Sequence, residues 1–236
     1  MGDSKLIPKL VMTWLGARLS AGTMYNLNGL FNYLHVGWWL RAHNFHAGHF
    51  VDTRWQVFDW IAKEVGDQNV LYLEFGVHRG ASMRHWSRLL QNPQSHLHGF
   101  DSFQGLPHDW SLEGHERGYF NQRGAIPDID DPRVKFFPGW FDETLPNYEW
   151  PEHDRLVVML DADLYSSTTT ALRYTKHKLV PGSYLYFDQI HHRCDELRAF
   201  SELVDETSMK FRLACATREF TFAAFQRLAD DDRCQA

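Results

Sequence analysis

The sequence predicts an α/β fold: a mostly parallel, seven-stranded sheet with helices on both faces, a C-terminal antiparallel hairpin and an N-terminal helical extension. Three observations predict it. Five short apolar runs alternate with helical patterns between residues 69 and 205. The first run, VLYLEFGVHRG at 70–80, carries an acid and two glycines where a parallel strand would turn into a helix. Two last runs, 211–216 and 220–228, are separated only by Thr217, Arg218 and Glu219, the spacing of a hairpin.

The elements follow in chain order. Residues 1–50 read as mostly helical and irregular, punctuated by Gly16, Gly22, Gly29, Gly37 and Gly48. Residues 53–65 place Trp55, Phe58, Ile61, Ala62 and Val65 at helical spacing before Gly66. Strand one is 69–75. A helix over 81–90 follows and stops at Asn92-Pro93. Strand two is 96–100, and a long polar loop from 102 to 131 has the length of a lid or a flexible segment. Strand three is 134–138, with a short helix starting near Asp142. Strand four, 155–160, ends in Asp161-Ala162-Asp163, and a helix over 166–179 follows. Strand five, 183–187, ends in Asp188 before a helix over 195–205. The division expected is an aromatic-rich extension over 1–65, part of the same domain, and a core over 66–236.

Composition narrows the function. A chain of 236 residues with 44% hydrophobic content fits one globular domain with a sizeable core. A net charge of −6 and no basic stripe argue against a nucleic-acid partner. Cys194, Cys215 and Cys234 have neither paired nor metal-ligand spacing, which reads as free thiols in a reducing, cytoplasmic setting. No run resembles a signal peptide or is long enough to span a bilayer. Aromatic residues crowd 11–60. A helix over 25–42 is expected to pack on the core, on a second subunit or over a substrate. It has few basic residues, so a membrane-surface role is disfavoured.

The strand ends carry the chemistry. Glu74, Gly76 and Gly80 form E-x-G-x-x-x-G rather than the three-glycine fingerprint of dinucleotide binders. Glu74 puts negative charge where a pyrophosphate would sit, which suits a cationic ligand such as S-adenosylmethionine, with its sulfonium and ammonium. The bland alternative is that the glycines only permit a tight turn. Asp101, at the tip of strand two, stands where an acid accepts both hydroxyls of a ribose. Asp161, Asp163 and Asp188 are expected to converge at the carboxyl ends of strands four and five. Asp161, Asp188 and the amide oxygen of Gln189 make an oxygen-rich set suited to Mg²⁺, which would orient a substrate hydroxyl while a carboxylate takes its proton. Asp163 has a plain alternative as a helix cap. His191 or His192 is a candidate general base; neighbours tend to point opposite ways, so at most one faces the site. His78 is expected along the cofactor turn.

Taken in order, LEFGVHRGASMRHWSRLL, GFDSFQGLP followed by Trp110, PGWFDETLP, LDADLYSSTTTAL and PGSYLYFD resemble the macrocin O-methyltransferase family, over about residues 70–188. That resemblance implies a class I, Rossmann-like enzyme that uses S-adenosylmethionine to methylate sugar hydroxyls of natural products. It implies that Glu74, Gly76 and Gly80, with Ser82 in the same motif, form the methionine-side turn. Asp101 and Ser102 would lie at the ribose, and Gly139 and Trp140 near the adenine. Asp161 would be metal ligand, cofactor neighbour and base, with Asp188 a second ligand. Members that modify sugars tend to carry a second acid after that ligand; Gln189 stands there instead and brings less charge.

The expectation is an O-methyltransferase acting on a small-molecule hydroxyl, Mg²⁺-assisted, with Asp161 as base, His191 nearby, and self-association through the N-terminal segment. Two rivals stay open, a catechol-type enzyme and a cofactor-binding module without turnover; a third, an NAD-dependent dehydrogenase, is disfavoured by Glu74, the missing third glycine and the terminal hairpin.

Overall fold

Runs rich in β-branched and aromatic residues become the middle of a single sheet because both of its faces are covered. The computed structural model describes residues 6–46, 48–111 and 113–229. Cys234 lies outside them, while Cys194 and Cys215 are free thiols. The strands are β1 (Phe50–Val51), β2 (Val70–Phe75), β3 (His96–Asp101), β4 (Val134–Pro138), β5 (Arg155–Leu160), β6 (Tyr184–Phe187), β7 (Phe211–Thr217) and β8 (Ala223–Arg227). The helices are α1 (Leu6–Gly16), α2 (Ala21–Ala42), α3 (Arg54–Val65), α4 (Ala81–Leu89), α5 (Phe141–Thr144), α6 (Tyr165–Thr175) and α7 (Glu196–Glu206).

The sheet order is β1-β7-β8-β6-β5-β2-β3-β4. From β4 to β6 all pairings are parallel, and β8 runs antiparallel to both β6 and β7. The chain goes from β2 outward to β3 and β4, then returns to the other side of β2 with β5. Strand order therefore reverses between β2 and β5, and a ligand crevice belongs at the carboxyl ends of those strands.

Alternation along β2 divides the core. Leu71, Leu73 and Phe75 join one cluster with Leu156, Val158 and Leu160 of β5, Leu172 of α6, Phe200 of α7, and Val36, Trp39 and Leu40 of α2. Val70 and Tyr72 join the other, with Val57, Phe58 and Ile61 of α3 and Met83 and Trp86 of α4. Each β2 side chain is buried.

Three sequence expectations need correction. The sheet has an eighth strand: two-residue β1, too short to read as a run, pairs parallel with β7. The final strand starts at Ala223 rather than 220, because Phe220 is left-handed (φ 57°) and the Phe222 N–H donates back to Thr217 Oγ1, widening the hairpin turn. Gly29 and Gly37 do not punctuate; they lie inside α2, which Ser20 caps and whose C-terminal half is fixed by buried Val36, Trp39 and Leu40. α3 packs on the sheet through buried Val57, Phe58 and Ile61. Among the described residues, no helix is long and apolar enough to cross a membrane.

Candidate active site

A cavity of about 750 Å³ opens at the predicted crevice. Its walls are the turn after β2 (Gly76, Val77, His78), the end of β3 (Asp101, Ser102), the ends of β5 and β6 (Asp161, Asp163, Asp188, Gln189), Trp140 and Phe141 of the β4–α5 turn, and part of the 102–131 loop.

The turn after β2 is fixed by backbone geometry. Gly76 has φ 94°, and a Cβ there would lie 1.8 Å from the Asp161 carbonyl oxygen, so only glycine lets the turn rest on the end of β5. Gly80 is left-handed (φ 72°) and starts α4. Asp101 locks the turn from β3. Its Oδ2 accepts the Val77 and His78 N–H groups at 2.9 and 2.8 Å, and its Oδ1 accepts the Phe103 N–H at 2.7 Å. Beside it, Ser102 Oγ donates to the Gly105 carbonyl and accepts from the Gln104 N–H, shaping the first bend of the long loop.

The β5 and β6 ends build the opposite kind of wall, from charged side chains. The Asp161 N–H donates to Phe75 O and the Asp188 N–H to Leu160 O, so each acid leaves its strand in register with the next. Burial, with Asp188 adding repulsion, holds the Asp161 carboxyl well above the usual carboxylate range, and burial raises Asp188 as well. Asp163 is in the left-handed region (φ 60°) and is pushed up to about 7 by burial and Asp188. Its carboxylate accepts from Gln189 Nε2 at 3.4 Å and caps no helix: α6 begins at Tyr165, whose N–H donates to Asp195.

Sequence reasoning missed Arg54. Its guanidinium lies 3.3 Å from Asp161 Oδ2 and 3.1 Å from Asp188 Oδ1, and donates to Ser82 Oγ at 2.7 Å. Residues 53–65 were legible as a helix by apolar spacing, and an arginine beside its cap is an ordinary surface pattern. The residues expected to hold Mg²⁺ therefore do not fit a divalent ion as arranged. Arg54 engages both carboxylates, and the Gln189 amide nitrogen faces Asp163. Among the described residues, no group of three His, Cys, Asp or Glu side chains is placed to hold a metal.

Other expected residues lie off the cavity wall. Glu74 is buried beneath the turn, where its Oε2 accepts from Tyr72 at 2.9 Å, and burial pushes it up to about 8. Its charge does not face a ligand directly; alternation along β2 turns it to the α3–α4 side with Tyr72. Gly139 (φ 143°) ties its N–H to Asp101 O and sets the bend that brings the next residue, Trp140, to the cavity. His191 is turned onto α2, stacked on Tyr33 with ring centroids 4.9 Å apart, and burial lowers it to about 4. His192 packs on Trp110 instead. Neither imidazole lines the cavity, which removes His191 from the position of a base.

The long loop is pinned rather than loose. Trp110 Nε1 donates to Asp195 at 3.0 Å, Tyr25 of α2 donates to Glu113 at 3.1 Å, and His108 is 2.9 Å from Ser166 Oγ. His108, Arg117 and Phe120 of this loop face the cavity with Trp55 of α3, and they define the space beyond the turn after β2.

Comparison with known proteins agrees with this geometry. Residues 52–213 match the family described as Macrocin-O-methyltransferase (TylF). A Streptomyces olivaceus protein, 8-demethyl-8-(2,3-dimethoxy-alpha-L-rhamnosyl)-tetracenomycin-C 4'-O-methyltransferase, is 33% identical over 49% of this chain and 51% of its own length. Demethyldecarbamoylnovobiocin O-methyltransferase of Streptomyces niveus is 30% identical over 48% of this chain and 47% of its own. This chain thus spans about half the length of the curated relatives it matches. Among solved structures, the O-methyltransferase NovP aligns with a TM-score of 0.59 at 24% identity, over 75% of this chain and 80% of that one. Calicheamicin methyltransferase CalS11 aligns with a TM-score of 0.59 at 21% identity, over 73% and 77%. At these identities the structural likeness establishes the shared fold.

Proposed function

Because the chain belongs to the macrocin O-methyltransferase family, we propose that it transfers the methyl group of S-adenosylmethionine to a hydroxyl of a sugar-bearing or other polar metabolite, with Asp161 as the base. The observation that carries this reading is the joining of a glycine turn and a carboxylate wall in one cavity at the reversal of strand order. The turn of Gly76 to Gly80, with Ser82 behind it, receives the methionine end. Asp101 and Ser102 receive the ribose. Trp140 stacks near the adenine. Asp101 accepts three backbone N–H groups, and of the about four acceptor sites of a carboxylate the one left, on Oδ1, is free for a ribose hydroxyl.

The acidic wall suits a ligand that is itself a cation. Asp161, Asp163 and Asp188 face the cavity, and Arg54 is placed between two of them. A sulfonium beside them offsets charge that burial makes costly.

The chemical step is an in-line displacement. The acceptor oxygen attacks the methyl carbon and the carbon–sulfur bond breaks. The methyl ether and S-adenosylhomocysteine leave, and the acceptor proton passes to Asp161. A carboxylate held above its usual range is a stronger base than an exposed one. Most of the rate then comes from holding oxygen, carbon and sulfur in line and from charge placed in advance. No step is routed through Mg²⁺, since Arg54 engages the carboxylates that would bind it.

Two relatives, one named for a rhamnosyl tetracenomycin and one for demethyldecarbamoylnovobiocin, support a natural-product substrate. A phenolic acceptor is the second reading, favoured by Trp55 and Phe120 on the cavity wall. Self-association through α1 and α2 belongs to the same proposal, because Leu10, Trp14, Leu30, Phe31, Leu34 and Trp38 are exposed there. Light scattering of the purified chain checks it: a dimer or larger species supports it, a monomer contradicts it.

The test of function is transfer of labelled methyl from S-adenosylmethionine to a panel holding a rhamnosylated tetracenomycin, demethyldecarbamoylnovobiocin and catechol. Label on a sugar hydroxyl is the expected result. Label on catechol alone moves the assignment to the phenolic reading. Cofactor binding with no transfer to any acceptor supports a binding module.

A further inference from the structure

We propose that Arg54 is the resident cation of this site, a positioning residue that bridges Asp161 and Asp188 in the place a divalent metal would otherwise take. Its role in methyl transfer rests on the function proposed above; the bridge itself does not.

The guanidinium is built into its place. Arg54 is the first residue of α3, and Thr53 and Gln56 close a reciprocal capping box around that turn: Thr53 Oγ1 accepts the Gln56 N–H at 3.3 Å, and Gln56 Oε1 accepts the Thr53 N–H at 3.1 Å. The rings of Trp55, Phe58 and Phe222 lie 5.2, 5.6 and 5.8 Å from the guanidinium carbon. One terminal nitrogen reaches Asp161 Oδ2 and Ser82 Oγ, and the other reaches Asp188. Tyr186 fixes the far partner by donating to Asp188 Oδ1 at 2.8 Å. A planar fork of donors matches two carboxylates leaving neighbouring strands.

Charge balance points the same way. Arg54 supplies the positive charge between Asp161 and Asp188, the two carboxylates it touches. A divalent ion added beside Arg54 would give three positive charges against these two carboxylates. To enter, it would have to displace a guanidinium enclosed by aromatic rings and leave that cation without its acids. Gln189, an amide where a third carboxylate would strengthen a metal site, fits a site that needs less negative charge.

The test is Mn²⁺ binding to the purified full chain, read from the electron paramagnetic resonance signal of free Mn²⁺, for wild type, Arg54→Met and Arg54→Lys. Methyl transfer is not involved, so a failure here is distinct from failure of the functional assignment. Wild type and Arg54→Lys are expected to bind Mn²⁺ weakly. Arg54→Met is expected to bind about tenfold more tightly or better, because a fixed positive charge beside two carboxylates has been removed. Should Arg54→Met fail to fold by circular dichroism, Arg54→Gln is read in the same way. Micromolar binding by wild type overturns the proposal. So does equal Mn²⁺ affinity, tight or absent, in wild type and the uncharged variant. Arg54→Lys separates charge from packing: if it binds Mn²⁺ as the methionine variant does, Arg54 is a structural filler and the proposal fails.

Discussion

The turn after β2 and the wall at the ends of β5 and β6 line the same cavity but are made differently. The turn is backbone: a glycine at φ 94° and two N–H groups gathered by Asp101. The wall is side-chain charge: Asp161 and Asp188 around Arg54, with Asp163 beside them. Backbone sites depend on shape and fail when a single atom is added. Charged sites keep their shape under isosteric change and fail when a charge is lost. Holding a cofactor and moving a proton can therefore be separated by substitution.

The largest effect expected is on turnover. Asp161→Asn should lower the methyl-transfer rate about a hundred- to ten-thousandfold, the range for losing a general base. Calorimetry should find S-adenosylmethionine affinity lowered far less than the rate, since Asp163 and Asp188 still face the cavity. A loss of affinity to match the loss of rate would break the division between the two walls.

Next is the turn. Gly76→Ala puts a Cβ on the Asp161 carbonyl in a backbone conformation that alanine avoids. A cost of about 3 kcal/mol or more follows, read by chemical denaturation. A near-neutral result would mean the turn can move off the end of β5.

Asp101→Ala should weaken S-adenosylmethionine binding about ten- to a hundredfold through lost hydrogen bonds to a charged group, with a lower melting temperature because Val77 and His78 lose their acceptor. Asp101→Asn, which keeps the shape, should recover part of both. Unchanged affinity would remove Asp101 from the ribose.

The last effect concerns the scaffold that carries both walls. His98 on β3 is buried, with Tyr148 Oη 2.6 Å from its Nδ1, and burial lowers it to about 4. The unfolded chain takes up this proton near pH 6.5 and the folded chain only near 4, so stability from His98 is present above pH 6.5 and is lost as the pH falls toward 4. The expected loss is up to about 3 kcal/mol, absent in His98→Phe. A denaturation series from pH 7 to pH 4 checks it.

The turn was legible in the sequence because its parts are local. Gly76 and Gly80 sit within one strand–helix connection, and Asp101 ends the next strand. The wall was half legible. Acids at strand ends fix Asp161 and Asp188, because a parallel sheet brings those ends together whatever the loops do. Arg54 was not: it arrives from 107 positions before Asp161, on a helix whose apolar spacing explained it fully. His191 shows the same limit. Its place after β6 was readable, but its direction depends on Tyr33 of α2 packing on that side of the chain. Glu74 was placed on the right strand and the wrong face, since a pattern buried on both sides offers no polar–apolar alternation to orient it.

The most direct measurement is calorimetric titration of wild type and Asp161→Asn with S-adenosylmethionine, paired with labelled-methyl turnover on the acceptor panel. Binding in both proteins is expected, with a fall in affinity far smaller than the fall in rate, and turnover in wild type alone. Absence of S-adenosylmethionine binding in wild type, or undiminished turnover in Asp161→Asn, would contradict it.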